Sequence, residues 1–459
     1  MKKVLKWVAI TLAVVVLLPL LLLVAINLID EDLEPKAAAY GEPRAATVPE
    51  AENAYFAVLA LNASDGVDSM AYARAWQGEV KAAALEKRKE KLPESKRAKR
   101  PPLCEPRDAP CLAQLREKTD EIAQQLEAHK EDLVRYDTLI GYKRYEEILD
   151  YAPRADSTMA PYLLVASAQR AFLLRAAMEV EAGRLEEAVA ALEKDFAFQR
   201  MLLGSSRTLI GKMVATANFW RDMQFVNELM QVRASEITPF LPRLRTALGA
   251  LEPGNLNLGS TMETEYQVPK AAFRDLREGL VSQGMISGMV EGGSVSDKMW
   301  DVVGLFFFKR NASLNRSFRY YSGMGAVMDA PANKLDEQLI AFNAAQPPVG
   351  PQWNWVYNPV GKVLVDVAVP SFKEYAWRVH DLDALSRLLA LRIDMLTAGV
   401  SAEQAAEFIG KSDAGLHNPY TRKPMNWDAD KKRIYFEATS ASTKRYKRGL
   451  DNGKVFIAL

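Results

Sequence analysis

Along this chain the hydrophobic and polar positions follow two regimes. Residues 8–29 are an almost unbroken apolar run, interrupted only by Thr11, Pro19 and Asn27. Its 22 residues predict about 33 Å of helix, enough to cross a hydrocarbon core of ~30 Å. Pro19 does not forbid this, because spanning helices accommodate such breaks. No later stretch repeats the pattern: residues 299–308 are the longest contender, too short and carrying Asp301.

After Asp30 the pattern becomes that of a folded aqueous domain, and most of it is helical. Ala54, Tyr55, Val58, Leu59 and Leu61 mark a short apolar face, with a helix start expected at Thr47-Val48-Pro49-Glu50 from its Thr-x-x-Glu spacing and early proline. Met70, Ala73, Trp76 and Val80 predict a helix over about residues 69–91. Leu112, Leu115, Ile122, Leu126, Leu133, Tyr136 and Ile140 recur at steps compatible with one helical face. Helices are further expected over 160–182, ended by Gly183, then over 185–203 and 208–232. The hairpin around Gly183 looks like half of a tetratricopeptide repeat, but no copy recurs at that period, so a one-off hairpin serves as well. Residues 258–345 are harder to read, because Gly279, Gly284, Gly288, Gly292 and Gly293 thin out any helix. Phe306-Phe307-Phe308 and Phe318-Arg319-Tyr320-Tyr321 set aromatics among cations, which suits an aromatic core or a membrane interface.

An aromatic loop is expected over 346–362, around Trp353-Asn354-Trp355. Phe372, Tyr375, Val379, Leu382, Leu385, Leu389, Ile393 and Leu396 then define a long amphipathic helix. Ser401-Ala402-Glu403-Gln404 reads as the capping box of a short last helix. In the tail, Asn418-Pro419-Tyr420-Thr421 is a turn, and 433–437 and 454–458 read as strands. The expected class is therefore mainly α: an N-terminal transmembrane helix plus an α-helical exported domain with a small β-containing C-terminal tail. Its expected parts are a cytoplasmic tip and anchor (1–29), an acidic Pro-containing tether (30–49), an α-helical domain (50–345), and the aromatic loop, long helix and β tail (346–459).

Charge sets the topology. Lys2, Lys3 and Lys6 precede the apolar run, and Asp30, Glu31, Asp32 and Glu34 come after it. The lysine bias holds the N-terminus in the cytoplasm and sends the remainder outside. A cleaved signal peptide is the rival reading, but its apolar core is usually about 7–15 residues with a small-residue site close behind. Here the first such site, Ala37-Ala38-Ala39, lies beyond the acidic stretch. No Cys directly succeeds the run, so a lipoprotein is not expected. The chain carries 59 basic and 58 acidic residues, net +1; without the three N-terminal lysines it carries −2. Such a balance gathers neither nucleic acid nor another polyanion.

Two cysteines exclude a disulfide scaffold. Cys104 and Cys111 bracket two prolines, and in an oxidising compartment they are expected to close a small disulfide loop. A basic segment holds Lys87, Arg88, Lys89, Lys91, Lys96, Arg97, Lys99 and Arg100, either a contact patch for anionic lipid or an acidic partner, or a solvated helix end. Three histidines leave little for metal or imidazole chemistry. No nucleophile elbow, Ser-x-x-Lys dyad, His-Glu-x-x-His pair or Walker loop occurs. The densest polar cluster is His380-Asp381-Leu382-Asp383, in which His380 and Asp383 share a helix face and could share a metal or a proton, or form an ordinary helix-surface pair. No metal, cofactor or catalytic residue is assigned.

Two resemblances add context. The stretch Asn418-Pro419-Tyr420-Thr421-Arg422-Lys423-Pro424-Met425-Asn426-Trp427, continued by Arg433-Ile434-Tyr435-Phe436, resembles the turn and strand that end many pseudopilin-like exported proteins after a long helix. Arg422 stands where that pattern has glycine, and the prepilin start is missing. The whole chain, with its 53–61 helix, two-Cys loop and Leu209-Ile210-Gly211-Lys212-Met213-Val214, resembles a group of uncharacterised single-pass proteobacterial membrane proteins. That resemblance implies a place and no activity: an inner-membrane protein with a periplasmic domain, bound to the bilayer through residues 8–29. Another envelope protein is the expected partner, because the anchor and helical hairpins come without a catalytic set. A binding or scaffold role leads; an envelope enzyme or a secretion- or pilus-associated component are the alternatives.

Overall fold

The structure, a computed structural model, describes residues 2–86, 88–106, 110–112, 118–152, 156–283, 304, 306–346, 356–368, 372–441, 443–445 and 449–459. It is mainly helical with one small antiparallel sheet at the C-terminus. Leaving aside four-residue turns, the first half holds α1 (Lys2–Ile26), α2 (Pro35–Ala39), α3 (Ala54–Ala60), α4 (Ser69–Leu85), α5 (Thr119–Ala128), α6 (Lys130–Gly141), α7 (Tyr162–Glu181), α8 (Leu185–Ser205) and α9 (Leu209–Val232). The second half holds α10 (Leu241–Leu248), α11 (Gly259–Gln283), α12 (Arg310–Met328), α13 (Ala332–Ala345), α14 (Pro359–Ala368), α15 (Lys373–Thr397) and α16 (Ala405–Gly410).

Helix starts are set by side chains that satisfy the first free N–H groups. Asn53 accepts from the Tyr55 amide at 3.0 Å, Asp68 from Met70 and Ala71 at 3.0 Å, and Thr208 from Gly211 at 3.3 Å. Thr47 does not cap a helix as expected. Its amide and hydroxyl bind Glu146 instead, at 2.7 and 3.1 Å, and the helix waits for Asn53. Gly183 ends α7 at φ +79°, a backbone conformation that glycine adopts without strain.

Two apolar cores build the domain. The first gathers α3, α4, α6 to α10, the C-terminal half of α15 and the sheet. The second gathers α11 to α14 and the N-terminal part of α15. Two long helices serve both. Leu209 of α9 belongs to the second core and Val214 onward to the first; Val379 of α15 belongs to the second and Leu382 onward to the first. A seam between cores therefore falls around residues 380–383.

Within residues 258–345 the described parts are mostly helical, and Gly279, expected to thin out any helix, lies inside α11. In α12, Gly325 lies against Gly259 and Met262 of α11, where an added Cβ would sit 3.4 Å from each. That glycine lets α11 and α12 approach closely. Gly284, Gly288, Gly292, Gly293 and the loop at Trp353 to Trp355 lie outside the described residues. The expected strands form: β1 (Asn426–Asp428), β2 (Arg433–Glu437), β3 (Leu450–Asp451) and β4 (Lys454–Ala458) stand in the order β1-β2-β4-β3. Ile434 pairs with Ile457 and Phe436 with Val455, and all four are buried.

Of residues 30–49, expected as a tether, the first part is bonded to the second core and Arg44, Thr47 and Val48 to the 146–149 segment. Asp30 accepts from the Asn311 and Ala312 amides at 2.9 and 3.1 Å, capping α12. Asn315 donates to the Asp32 carbonyl and accepts from the Glu34 amide, both at 2.9 Å. Tyr40 packs edge-on against Tyr266 and Phe318. Composition suggested a loose linker, but short acidic side chains also satisfy helix N-termini, and that interaction prevails here.

In α1 the described apolar side chains stand exposed. Val14 to Leu18 are five consecutive residues between 52% and 64% exposed. Several side chains of the expected anchor (residues 8, 9, 12 and 13) lie outside the described ones. Among the described residues, no helix is long and apolar enough to cross a membrane.

Candidate functional site: the cleft at the seam

α15 carries His380, Asp381, Asp383 and Arg387 where the two cores meet, and all but Arg387 are buried. Beside them lie two adjoining cavities of about 250 and 290 Å³. His380 and Asp329 line the first, Arg245, Asp394 and Asp413 the second, and Asp383 and Arg387 line both. The walls come from α15, the 249–257 connection, the corner between α12 and α13, and the 413–422 loop.

His380 and Asp383 are thus both gathered into one cleft, as the alternative enzyme reading required, but no hydrogen bond joins them. His380 bonds the backbone of Ala330, and burial pushes its pKa down to about 4, so the ring is neutral at pH 7. Asp383 meets Arg387 at two points, 3.0 and 2.9 Å. Burial raises the pKa of Asp383, and the arginine offsets this only in part. Arg387 also donates to the His417 carbonyl at 3.3 Å. The other charged groups are engaged as well. Arg245 pairs with Asp394 at 3.0 Å, Asp329 caps α11 through the Leu258 and Gly259 amides at 2.9 and 2.6 Å, and Arg422 donates to Asn333 at 3.1 Å.

Asp381, named from sequence only as a member of the polar cluster and given no role, is fully buried and is the main fastening of the tail. It accepts from the Tyr420 hydroxyl at 2.7 Å and from the Thr439 and Ser440 amides at 3.1 and 3.0 Å. Burial pushes its pKa up to about 6. Glu374, two turns earlier, accepts from the Ala441 amide at 3.0 Å. The available signal was an acidic residue next to the apolar face of a long helix, which calls for a partner.

A second buried cluster, in the first core, also escaped the sequence. Asp195 and Asp222 are fully buried side by side. Asp195 accepts from Tyr136 at 2.7 Å and Gln199 at 2.9 Å, and Asp222 from Gln169 at 2.6 Å. Burial raises both pKa values, and Asp222, hydrogen-bonded to Asp195 with few other donors, rises further. Burial and like charge at such close quarters favour one proton held between the two carboxyls.

Cys104 and Cys111 are bonded to each other. Their loop is sewn to α9: Glu228 accepts from the Cys111 and Leu112 amides at 3.1 and 3.0 Å, and Arg221 meets Glu105 at 2.7 Å. The basic segment divides in two, with Lys87 outside the described residues. Arg88 pairs with Glu79, while Arg97 and Arg100 converge on buried Asp132 at 2.5 and 3.2 Å, beside His129 at 3.3 Å. Lys89, Lys91, Lys96 and Lys99 remain exposed. The three arginines of the expected contact patch therefore hold the segment to the domain, and the four described lysines are not buried. Among the described residues no group of His, Cys, Asp and Glu is arranged to hold a metal ion.

Comparison with known protein families, with characterised proteins and with solved structures yields no match.

Proposed function

We propose that the chain is a single-pass protein of the bacterial inner membrane, with its N-terminus in the cytoplasm and its helical domain in the periplasm. There it serves as a binding or scaffold module for another envelope protein, with the seam cleft as the place of engagement. The observation that carries the membrane reading is the exposure of consecutive apolar side chains on α1. A helix apolar on every side and turned outward needs an apolar solvent. The lysines before it and the acidic residues after it support the orientation.

Binding is favoured over acid–base chemistry because the ionisable side chains lining the cleft already have partners. A general acid or base needs a position from which it can reach substrate. Photo-crosslinking side chains at Asn257 and Arg422, on the cleft rim, test this in intact cells. The expected product is one defined adduct at the rim that is missing from exposed Glu187 on α8. A secretion or pilus subunit in that adduct would select the secretion-associated form of the proposal. Equal patterns at all three positions would sink the cleft as the contact.

A further inference from the structure

The end of α1 and the start of α14 are locked together. The Asn27 side chain donates to the Val356 carbonyl at 2.5 Å and accepts from the Asn358 amide at 2.9 Å. Asn358 in turn donates to Ser313 at 3.0 Å and accepts from the Lys309 amide at 2.8 Å. Gly361 lets α14 lie directly on α12, since a Cβ there would fall 2.0 Å from the Ser313 hydroxyl oxygen. α14 therefore starts one hydrogen bond from the end of the apolar helix and has no freedom to swing away from it.

α14 is apolar on two sides. Gly361 and Val365 are buried toward the domain. On the other side Val363 is 43% and Val367 81% exposed, one helical turn apart, and Val356 just before the helix is 42% exposed. Leu28 and Ile29, directly after α1, are 65% and 78% exposed. These five side chains extend the exposed apolar surface of α1 onto the folded domain.

We propose that α14 is an interfacial helix, with Val356, Val363 and Val367 seated in the lipid headgroup region of the membrane that α1 enters. This inference rests on the anchor reading above. Ten residues of helix reach only about 15 Å from the locked start, and amphipathic helices at an interface bury their apolar face by roughly 5–10 Å. Attraction to anionic lipid does not drive the contact, because Asp30, Glu31 and Asp32 surround the exit. The Asp30 carboxylate caps α12 and the Asp32 backbone carbonyl binds it, so acidic groups stay at the exit and the apolar stripe is the driving surface. The consequence is a domain with a fixed attitude on the bilayer rather than one swinging on a tether.

The test uses the full chain in nanodiscs made with brominated phosphatidylcholine, one copy per disc. A bimane label is placed on Val363→Cys, Val367→Cys, Leu18→Cys or Glu403→Cys in turn. Bromine on the acyl chains quenches only a label that touches lipid. At least twofold quenching at 363 and 367 relative to 403 is expected, with the strongest quenching at 18. Quenching at 18 with 363 and 367 matching 403 overturns the inference and leaves the anchor standing. No quenching at 18 overturns the anchor reading as well.

Discussion

The Tyr420 hydroxyl donates to the carboxylate of Asp381 at 2.7 Å, binding the C-terminal turn to the middle of the helix that passes through both cores. Removing the donor in Tyr420→Phe is expected to lower stability by about 1–2 kcal/mol. Asp381→Asn is expected to cost more at pH 7, because its amide group would face one of the donors Thr439 and Ser440. It also removes a pH dependence. The folded pKa, about 6, lies above the ordinary 3.8, so the folded state holds more protons between those values and stability falls as pH rises through that window. Urea unfolding at pH 4, 5, 6 and 7 should show this slope in the parent protein and a flatter one in Asp381→Asn.

The carboxyl pair Asp195–Asp222 should respond asymmetrically. Both pKa values are raised, so their contribution is fully present at acid pH and fades as pH rises above the ordinary carboxylate range. Asp222→Asn supplies a permanent donor to Asp195 in place of the shared proton. It is expected to be neutral near pH 4 and to raise the thermal midpoint at pH 8. Asp195→Asn sets an amide against Tyr136 or Gln199, leaving a donor facing a donor, and is expected to cost about 1–3 kcal/mol. Equal effects of the two substitutions at pH 8 would contradict the shared-proton arrangement.

Lys212, only 1% exposed, has its pKa pushed down to about 8 by burial, and the charge of Asp329 restores only part of the loss. Relative to an ordinary lysine at 10.5, keeping it charged at pH 7 costs on the order of 3 kcal/mol. The unfolded chain binds the extra proton between pH 8 and 10.5, so stability should rise with pH across that range. Lys212→Met, similar in length and uncharged, is expected to gain roughly 1–3 kcal/mol at pH 7 and to lose the rise. A destabilised Met variant would mean that the ammonium has a purpose beyond packing.

The basic segment makes a prediction about rank order. Alanine at Arg97 or Arg100 leaves buried Asp132 short of a partner and should cost about 2–4 kcal/mol. Alanine at Lys89, Lys91 or Lys99 should change stability by under ~0.5 kcal/mol. Burial alone would raise the Asp132 pKa, but the His129 hydrogen bond and the two arginines lower it. That stabilisation is present above the ordinary carboxylate value and is lost as pH falls through the lower folded one. Parallel thermal melts of the alanine variants separate the two groups.

The reach of the sequence is clearest in α15 and the tail. Its apolar spacing locates Lys373–Thr397 to within a residue or two, and alternation locates Arg433–Glu437 and Lys454–Ala458. Local rules suffice there, because periodicity reports which face is buried. They fail where one residue type has two uses. Gly279 looks like a helix breaker, yet it lies inside α11. Acidic residues at 30–34 look like a linker, yet Asp30 is a helix cap. Arginines at 97 and 100 look like surface, yet both turn inward to Asp132.

By itself the sequence determined an apolar N-terminal run, a mainly helical domain, the Cys104–Cys111 loop and the strands of the tail, since each depends on neighbours close in the chain. Only the tertiary structure decided that His380 and Asp383 share a cleft with no hydrogen bond between them, and that Asp381 fastens the tail. It alone decided that Asp195 faces Asp222 across the first core, and that Asn27 locks to Asn358, 331 residues away. The physical reason is the same in each case. A polar side chain taken out of water must find a partner, and which partner it finds is set by how helices distant in sequence pack.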